Sequence, residues 1–321
     1  MADPTKYVSS RSPLAYDNES FLKGPDGRPL RILAEYAEPL ARFRREKIQD
    51  TVVFFGSARF LSLDNANAAA RLLSHPDLAE SGPDPSDSAP SDPEQSHPAP
   101  SGSAQPTPGQ HRQRAYRAQR SVDMARYYED ARRLAYMLTH WSRTLGGKRH
   151  RFVVTTGGGP GIMEAANRGA REAGGKTIGL NISLPAEQYP NPYITPELNF
   201  EFHYFFMRKL WFAYLAKALV VFPGGFGTLD ELFEILTLTQ TRKLAKKMTV
   251  LVYGSEYWRQ VLNLEALADV GAIDPEDVNL FNFVDSPEQA FAVLQENLTR
   301  DHLQSPPPAR RHQPEIASTR R

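Results

Sequence analysis

The sequence contains no cysteine among its 321 residues. This absence excludes disulfide bonds, a thiolate nucleophile and a cysteine-ligated zinc site, and it agrees with a reducing compartment. No apolar stretch approaches the roughly 20 residues that a membrane-spanning helix requires, and the N-terminus lacks the apolar core of a secretory signal. We therefore expect a soluble protein of the cytoplasm.

An excess of charge of one sign is also lacking. The 38 lysine and arginine residues nearly balance the 37 aspartate and glutamate residues, which gives a formal net charge of +1. This balance offers no electrostatic reason to expect nucleic acid or a membrane surface as a partner. Hydrophobic residues make up 40% of the chain, so the chain is able to bury a full core.

Composition divides the chain into one domain with three polar segments. Prolines interrupt the polar residues 1–30, so we expect an extended N-terminal arm there. A stretch at about 76–115 and the tail 301–321 are rich in Pro, Ser or charged residues and poor in large apolar ones. Neither can bury enough surface to offset its ordering entropy, which predicts disorder. Residues 31–300 then form a single domain that the insert interrupts, because the strand–helix alternation resumes beyond it.

Short apolar runs alternate with segments of helical periodicity along most of the domain. The predicted strands are "TVVFF", "RFVVTT", "KTIGLNI", "NFEFHYF", "LVVF", "MTVLVY" and "FNFV". Helical patterns precede, separate and follow them, including one with a break or kink at Pro39 and one across "YWRQVLNLEALADVG". Alternation of this kind predicts an α/β fold with a doubly wound, mostly parallel, Rossmann-like sheet and helices on both faces.

Glycines follow three of the predicted strands, in "FFGSAR", "TTGGGPGIMEAAN" and "FPGGFGTLDE". For any one loop, a tight strand-to-helix turn and an anion site explain the glycines equally well. Three such loops at one sheet edge favour a phosphorylated ligand. The dinucleotide pattern fails, because Ile162 stands where the third glycine belongs and Asn181 stands where an acid for the ribose belongs. The ATP-binding loop pattern is absent as well, so a mononucleotide or a sugar phosphate remains.

Charged residues stand beside the last of these loops. If the following helix begins near Thr228, that residue caps it, and Asp230 and Glu231 lie in its first turn. For Asp230 we favour a simple interaction with the helix dipole. The negative charge of Glu231 would oppose the binding of an anion. A catalytic role is one reason for a carboxylate to stand at this position. Arg208 and Lys209 precede the strand; alone they indicate a solvated pair, but beside an anion site Arg208 becomes a candidate ligand for phosphate.

With these residues assembled, the sequence resembles the longer-chain branch of the Lonely Guy (LOG) family of nucleoside 5′-monophosphate phosphoribohydrolases, once labelled lysine decarboxylases. The resemblance covers roughly residues 51–297 without the insert. Two positions depart from many members: Glu164 replaces a glycine, and no histidine precedes Arg208. The family signature P-G-G-x-G-T-x-x-E is met by Pro223, Gly224, Gly225, Phe226, Gly227, Thr228 and Glu231, and an upstream Arg-Lys pair by Arg208 and Lys209.

The resemblance implies hydrolysis of an N-glycosidic bond to a free base and ribose 5-phosphate, with no metal or organic cofactor. It implies that Glu231 holds the ribose hydroxyls and offsets positive charge on the sugar, while Arg208 positions the substrate and assists catalysis. The remaining residues of the implied nucleotide site are Gly224, Gly225, Gly227 and Thr228 for the 5′-phosphate, Gly158, Gly159 and Gly161 for the same nucleotide, and Ser57 and Lys209 beside it.

The resemblance also implies an oligomer, at least a dimer, with sites near the subunit contacts. The segment "FFMRKLWFAYLA" would suit such a contact, although its apolar residues Phe206, Leu210, Trp211 and Tyr214 are better explained as core from sequence alone. The alternative function is a non-catalytic nucleotide or molybdenum-cofactor carrier. A pyridoxal-dependent decarboxylase is the weakest hypothesis, because nothing around Lys209 or Lys217 specifies that chemistry.

Overall fold

A parallel sheet of seven strands forms the centre of the computed structural model, which describes residues 12–74, 108–184, 189–244 and 246–304. Every strand pair in the sheet is parallel. The predicted fold class is thereby confirmed. The strands are β1 (Thr51–Phe55), β2 (Val153–Thr156), β3 (Thr177–Ile182), β4 (Asn199–Phe202), β5 (Ala216–Val221), β6 (Thr249–Tyr253) and β7 (Asn282–Val284).

The strand order reverses beside β1. The order across the sheet is β4-β3-β2-β1-β5-β6-β7, so the chain builds outward on one side of β1 and then returns to its other side. Val53 of β1 lies opposite Thr155 of β2 and Leu219 of β5. In doubly wound sheets, ligands bind beyond the carboxyl ends of the strands at such a reversal. The fold therefore indicates the loops after β1 and β5 as the place of a ligand site.

Helices cover both faces of the sheet, and each face has its own apolar core. The inner strands β1, β2 and β5 are buried on both sides, which explains their continuous apolar runs. The helices of the described chain are α1 (Glu19–Lys23), α2 (Arg28–Arg45), α3 (Leu63–Ser74), α4 (Pro108–Thr144), α5 (Ile162–Glu172), α6 (Phe205–Leu215), α7 (Phe226–Gln240), α8 (Ser255–Val261), α9 (Leu264–Asp269) and α10 (Pro287–Leu298).

The two cores separate the helices into opposite layers. The core with α6 and α7 includes Trp211 and Leu232, and Tyr36 of α2 packs against it. The core on the other face includes Tyr127 of α4 and Ala165 of α5. Residues that reach the carboxyl edge of β1 and β5 therefore approach it from both sides of the sheet.

Several local expectations need correction. The extended conformation expected for residues 1–30 is wrong for the described part, which forms α1 between two short 3-10 turns and then begins α2. Helix α2 continues through Pro39. The long helix expected after β6 is divided into α8 and α9, because Asn263 accepts a hydrogen bond from the backbone N–H of Ala266 and caps a new helix.

The predicted insert and tail fall mostly outside the described residues. Helix α4 already begins at Pro108, inside the range at about 76–115, so disorder is wrong for the end of that range. Residues 75–107 lie outside the described chain. A π-helical turn spans Thr299–Leu303, so disorder is wrong for the first residues of the tail 301–321, and residues 305–321 lie outside the described chain.

Helix α6 is only partly core. Trp211 is buried, as expected, and its indole N–H donates to the backbone carbonyl of Glu35 at 2.9 Å. Phe206 is 50% exposed and Leu210 is 39% exposed, and Tyr214 is exposed as well. The core assignment is therefore wrong for these three residues, because α6 presents one face to the sheet and the other to solvent.

Candidate active site

A cleft of about 710 Å³ opens at the carboxyl ends of β1 and β5. The loop after β1 and the loop between β5 and α7 form its floor. Residues of α4 and the first turn of α5 line it from one face of the sheet, and the first turn of α6 and the first two turns of α7 line it from the other. The cleft thus occupies the position at which the strand order reverses.

The loop after β5 leads directly into α7, whose first residue is Phe226. Its N-cap is Gly225, which has no side chain to cap the helix, and no side chain of the described residues accepts a hydrogen bond from the first backbone N–H groups. The expectation that Thr228 caps the helix is therefore wrong, because Thr228 lies inside the first turn. These unpaired N–H groups and the positive end of the helix dipole suit an anion.

Close packing explains one glycine of this loop. A side chain at Gly224 would place its Cβ 2.2 Å from Oγ1 of Thr228. Cβ atoms at Gly225 and Gly227 would meet nothing within 4 Å, so those two positions leave backbone open to the cleft. All three glycines and Thr228 line the cleft, as the sequence predicts.

Two hydrogen bonds hold the loop after β5 against its neighbours. The hydroxyl of Tyr257 on α8 donates to the carbonyl of Gly224 at 2.8 Å, and Tyr257 also lines the cleft. The N–H of Ser57 donates to the carbonyl of Pro223 at 3.0 Å, which joins the β1 and β5 loops. Ser57 lines the cleft as predicted, whereas no pattern in the sequence indicates Tyr257.

Glu231 lies in the second turn of α7 and faces the cleft, although its residue surface is only 7% exposed. Within the described residues its carboxylate makes no hydrogen bond. Burial raises the pKa of Glu231 to about 7, and the charges of Lys209 and Arg208 partly oppose that rise. A carboxyl group of this kind exchanges its proton near neutral pH and is typical of functional sites.

Arg208 reaches the cleft from the first turn of α6. Its Nε donates to the carbonyl of Leu180 on β3 at 2.7 Å, and its guanidinium lies 5.0 Å from the ring centre of Phe212. Burial lowers the pKa of Arg208, and the charge of Glu231 opposes that shift. The side chain is therefore fixed beside the carboxylate without a direct ion pair.

Lys209, the next residue, points elsewhere. Its ammonium group lies 2.7 Å from a carboxylate oxygen of Asp230 and 2.9 Å from one of Glu234. The partner of Asp230 is therefore this lysine rather than the first turn of α7 expected from the sequence. Lys209 is not among the residues that line the cleft, so its expected contact with substrate has no geometric support.

The glycines after β2 serve the backbone turns and close packing of their own loop. Gly158 and Gly161 have positive φ angles of 77° and 70°. A Cβ at Gly158 would lie 2.1 Å from Oδ1 of Asn181, and one at Gly161 would lie 2.3 Å from the carbonyl of Ser57. Asn191 donates from Nδ2 to the carbonyls of Gly158 and Gly159, both at 3.0 Å.

None of the three predicted residues Gly158, Gly159 and Gly161 lines the cleft. Their neighbour Gly157 contacts the site indirectly, because a Cβ there would lie 2.5 Å from Nη2 of Arg208. For this loop, the explanation by tight turns and close packing accounts for the glycines. A direct contact with the nucleotide remains only a prediction.

Other cleft residues were not predicted from the sequence. Met163 of α5, Phe205 of α6 and Arg59 after β1 each stand beside a motif that the sequence does indicate. Arg120 and Met124 come from α4, far from any motif, so only the folded structure brings them to the cleft.

The described ranges contain neither a metal-binding cluster nor a membrane-spanning helix. No group of three or more His, Asp or Glu side chains there is placed to hold a metal ion. Among the same residues, no helix combines the length and the apolar character needed to cross a bilayer.

Comparison with known proteins supports the resemblance that the sequence predicts. A family model described as "Possible lysine decarboxylase" matches residues 163–294. A cytokinin riboside 5′-monophosphate phosphoribohydrolase of Rhodococcoides fascians is 33% identical over 125 residues, which are 38% of this chain and 62% of the relative. A probable enzyme of the same description from Oryza sativa subsp. japonica is 25% identical over 152 residues, 47% of this chain and 61% of the relative.

The chain therefore spans about three fifths of the length of these curated relatives. The matches confirm the resemblance to the Lonely Guy family.

Two solved structures match parts of the chain at low similarity. The molybdenum cofactor binding protein of the phototrophic bacterium Rippkaea orientalis is 22% identical, and the match covers 53% of this chain and 89% of that protein with a TM-score of 0.37. The molybdenum cofactor carrier protein of Chlamydomonas reinhardtii is also 22% identical, with 54% and 89% covered and a TM-score of 0.36. Similarity at this level carries no argument about fold or function.

Proposed function

We propose that this chain hydrolyses the N-glycosidic bond of a nucleoside 5′-monophosphate. The observation that carries the proposal is the placement of Glu231, a buried carboxyl group, in the same cleft as the uncapped first turn of α7. A helix end of this kind suits the phosphate of a phosphorylated sugar. A carboxylate beside it suits the cleavage of the glycosidic bond. Relatives described as cytokinin riboside 5′-monophosphate phosphoribohydrolases support the same class of reaction.

In this proposal the 5′-phosphate binds the backbone amides that follow Gly224. Gly225 and Gly227 leave the backbone accessible, and Thr228 adds a hydroxyl group at the end of the same turn. The sugar then lies toward Glu231, which is one turn farther along α7 and on the cleft side.

The reaction breaks the bond between C1′ of the ribose and the base nitrogen. The electron pair leaves with the base, and positive charge develops on C1′ and the ring oxygen. Water adds its oxygen to C1′, and its proton balances the departing base, so that the products are free base and ribose 5-phosphate. An ionised Glu231 stabilises the positive sugar and, with its pKa raised to about 7 by burial, is able to accept the proton of the attacking water.

Arg208 has a supporting role in this scheme. Its charge keeps part of the Glu231 population ionised, because a nearby cation lowers the pKa of a carboxyl group. Its Nε is bound to the carbonyl of Leu180, which leaves the other N–H groups of this cleft-lining residue without that partner. Those groups are available to orient the substrate.

We also propose a homodimer. Phe206, Leu210 and Tyr214 of α6 and Phe233 of α7 form an exposed apolar surface, here called the α6–α7 patch. Lys209 joins the two helices through its ion pairs with Asp230 and Glu234. A second copy of the chain would cover this surface next to the cleft.

A substrate panel tests the proposed reaction. Purified protein is incubated separately with AMP, GMP, CMP, UMP and an isoprenylated AMP, and the released base is quantified by chromatography. We expect at least one monophosphate to be hydrolysed, and its nucleoside to react far more slowly because the nucleoside lacks the phosphate. Tight binding of a nucleotide without release of any base would instead support the carrier function.

A further inference from the structure

The cleft contains more positive charge than the proposed catalytic pair uses. Arg59, Arg120 and Arg208 line it together with the acids Asp230 and Glu231. Arg208 lies beside Glu231 and interacts with its charge, and Asp230 is held by a lysine outside the cleft. Arg59 and Arg120 remain, and both are exposed side chains without an acidic partner in the described part of the chain.

Packing of α4 determines where Arg120 points. Tyr127 and Tyr128 are buried in the core between α4 and the sheet, and Met124 packs against the same core. Arg120 precedes Met124 by one turn and Tyr127 by two turns, so the three side chains share one helix face. The buried tyrosines therefore fix the rotation of α4 and turn Arg120 toward the carboxyl edge of the sheet.

Arg59 reaches the cleft from the same side. It follows β1, and the next residue, Phe60, stacks on Tyr127 of α4 with ring centres 6.2 Å apart. The two arginines thus enter from the face covered by α4 and α5, opposite the helices that carry Arg208 and Glu231.

A phosphate in this cleft needs such cations. A phosphate monoester carries about −1.5 to −2 charges at neutral pH, whereas the start of α7 supplies only about half a positive charge. The nearby carboxylate of Glu231 opposes the anion. Arginine offers paired N–H donors that match the oxygens of a phosphate.

We propose that Arg120, together with Arg59, binds the 5′-phosphate of the substrate across the cleft from the first turn of α7. This contact makes the cleft specific for nucleotides over nucleosides. Arg59 and Arg120 both lie outside residues 163–294, the range that matches the family model. The identification of the ligand as a nucleoside monophosphate rests on the proposed function.

The test compares Arg120→Gln with Arg117→Gln. Arg117 is an exposed arginine of the same helix that does not line the cleft, so its substitution removes an equal charge from the same element. Dissociation constants for AMP, ribose 5-phosphate and adenosine are measured by calorimetry, and KM and kcat are measured for the best nucleotide of the panel. Circular dichroism verifies that both variants fold.

We expect Arg120→Gln to weaken AMP and ribose 5-phosphate binding by about 10-fold or more, the usual size of one lost charge-assisted hydrogen bond. KM should rise similarly while kcat changes less, adenosine binding should not change, and Arg117→Gln should resemble the wild type. An equal loss for adenosine, an unchanged affinity for AMP, or a wild type that binds neither phosphate compound would overturn the inference. If the wild type releases no base but binds AMP, and Arg120→Gln weakens that binding, the inference stands and the proposed reaction is wrong.

Discussion

Glu231 is the residue on which the functional account depends. Placing a carboxylate in a largely buried position costs free energy, which appears as a pKa raised to about 7. Asp230 precedes it and Glu234 follows it at helical spacing, yet both bind Lys209 and so have an ordinary structural role. Only Glu231 combines burial, access to the cleft and the absence of a hydrogen-bonded partner among the described residues.

The pH dependence of kcat follows from this raised pKa. If the ionised carboxylate stabilises the sugar, kcat should rise with pH and level off above an apparent pKa of about 7 or higher, because a bound phosphate disfavours a second negative charge nearby. Below that value kcat should fall up to tenfold per pH unit. Steady-state rates at saturating substrate between pH 5.5 and 9 measure this profile. A flat profile, or one that rises toward acid, would contradict the role of an ionised Glu231.

Adjacent residues in the sequence proved a poor guide to shared function. The sequence predicted Arg208, Glu231, Thr228 and the glycines of their loop as cleft residues, and the structure brings them together. The Arg-Lys pair of the resembled family predicts Lys209 beside Arg208 in the site. Successive residues of a helix point about 100° apart, so Arg208 faces β3 and the cleft while Lys209 faces α7.

At the scale of secondary structure, the start of α7 shows how a local rule misleads. Threonine is a favoured N-cap, which placed the predicted helix start near Thr228. The helix begins earlier, at Phe226, with a glycine as its cap, and among the described residues no side chain binds its first N–H groups. A helix that satisfied these groups internally would leave fewer of them for a ligand. The glycine N-cap of α7 therefore stands at the place where the anion site is proposed.

Helix α2 supports the helix that carries Arg208. The carboxylate of Glu35 accepts hydrogen bonds from the backbone N–H groups of His203 at 2.8 Å and Tyr204 at 3.2 Å, immediately before α6. Tyr36 also stacks on Trp211 of α6. The sequence predicted α2 as a helix but offered no signal for this contact, because its partner lies far along the chain.

Glu35→Ala should therefore destabilise the protein more than a neighbouring substitution does. We expect a loss of about 1–3 kcal/mol in the free energy of unfolding, because two backbone donors lose a charged acceptor. Glu38→Ala serves as the control, since it removes one i,i+4 ion pair with Arg42 on α2, worth about 0.5 kcal/mol or less. Urea denaturation of both variants measures the difference. Equal losses would show that Glu35 does not support α6.

For the whole molecule, alternating strands and helices sufficed to predict the doubly wound sheet. They could not predict which glycine-bearing strand ends meet at the reversal of strand order, because that choice depends on pairing between distant strands. The structure puts the ends of β1 and β5 side by side, while the glycines after β2 serve the packing of their own loop. Arg120 joins the site through the same long-range arrangement.

The α6–α7 patch predicts the oligomeric state. We expect a homodimer, because the apolar side chains of this patch are exposed in the single chain. Leu210→Asp should yield a monomer by placing a charge in the contact. Leu267→Asp alters a leucine of similar exposure on α9 and should leave the dimer intact. Multi-angle light scattering at tens of micromolar measures both, and a monomeric wild type would refute the proposed contact.

The most direct measurement of the central claim is the rate of base release by Glu231→Gln. On the best nucleotide of the panel, this variant should lose at least about a hundredfold in kcat, because the uncharged amide cannot stabilise the positive sugar. Glu234→Gln makes the same chemical change one turn farther along α7, at a residue that does not line the cleft, and should retain most of the activity. If Glu231→Gln released base as fast as Glu234→Gln, the carboxylate would not take part in the reaction.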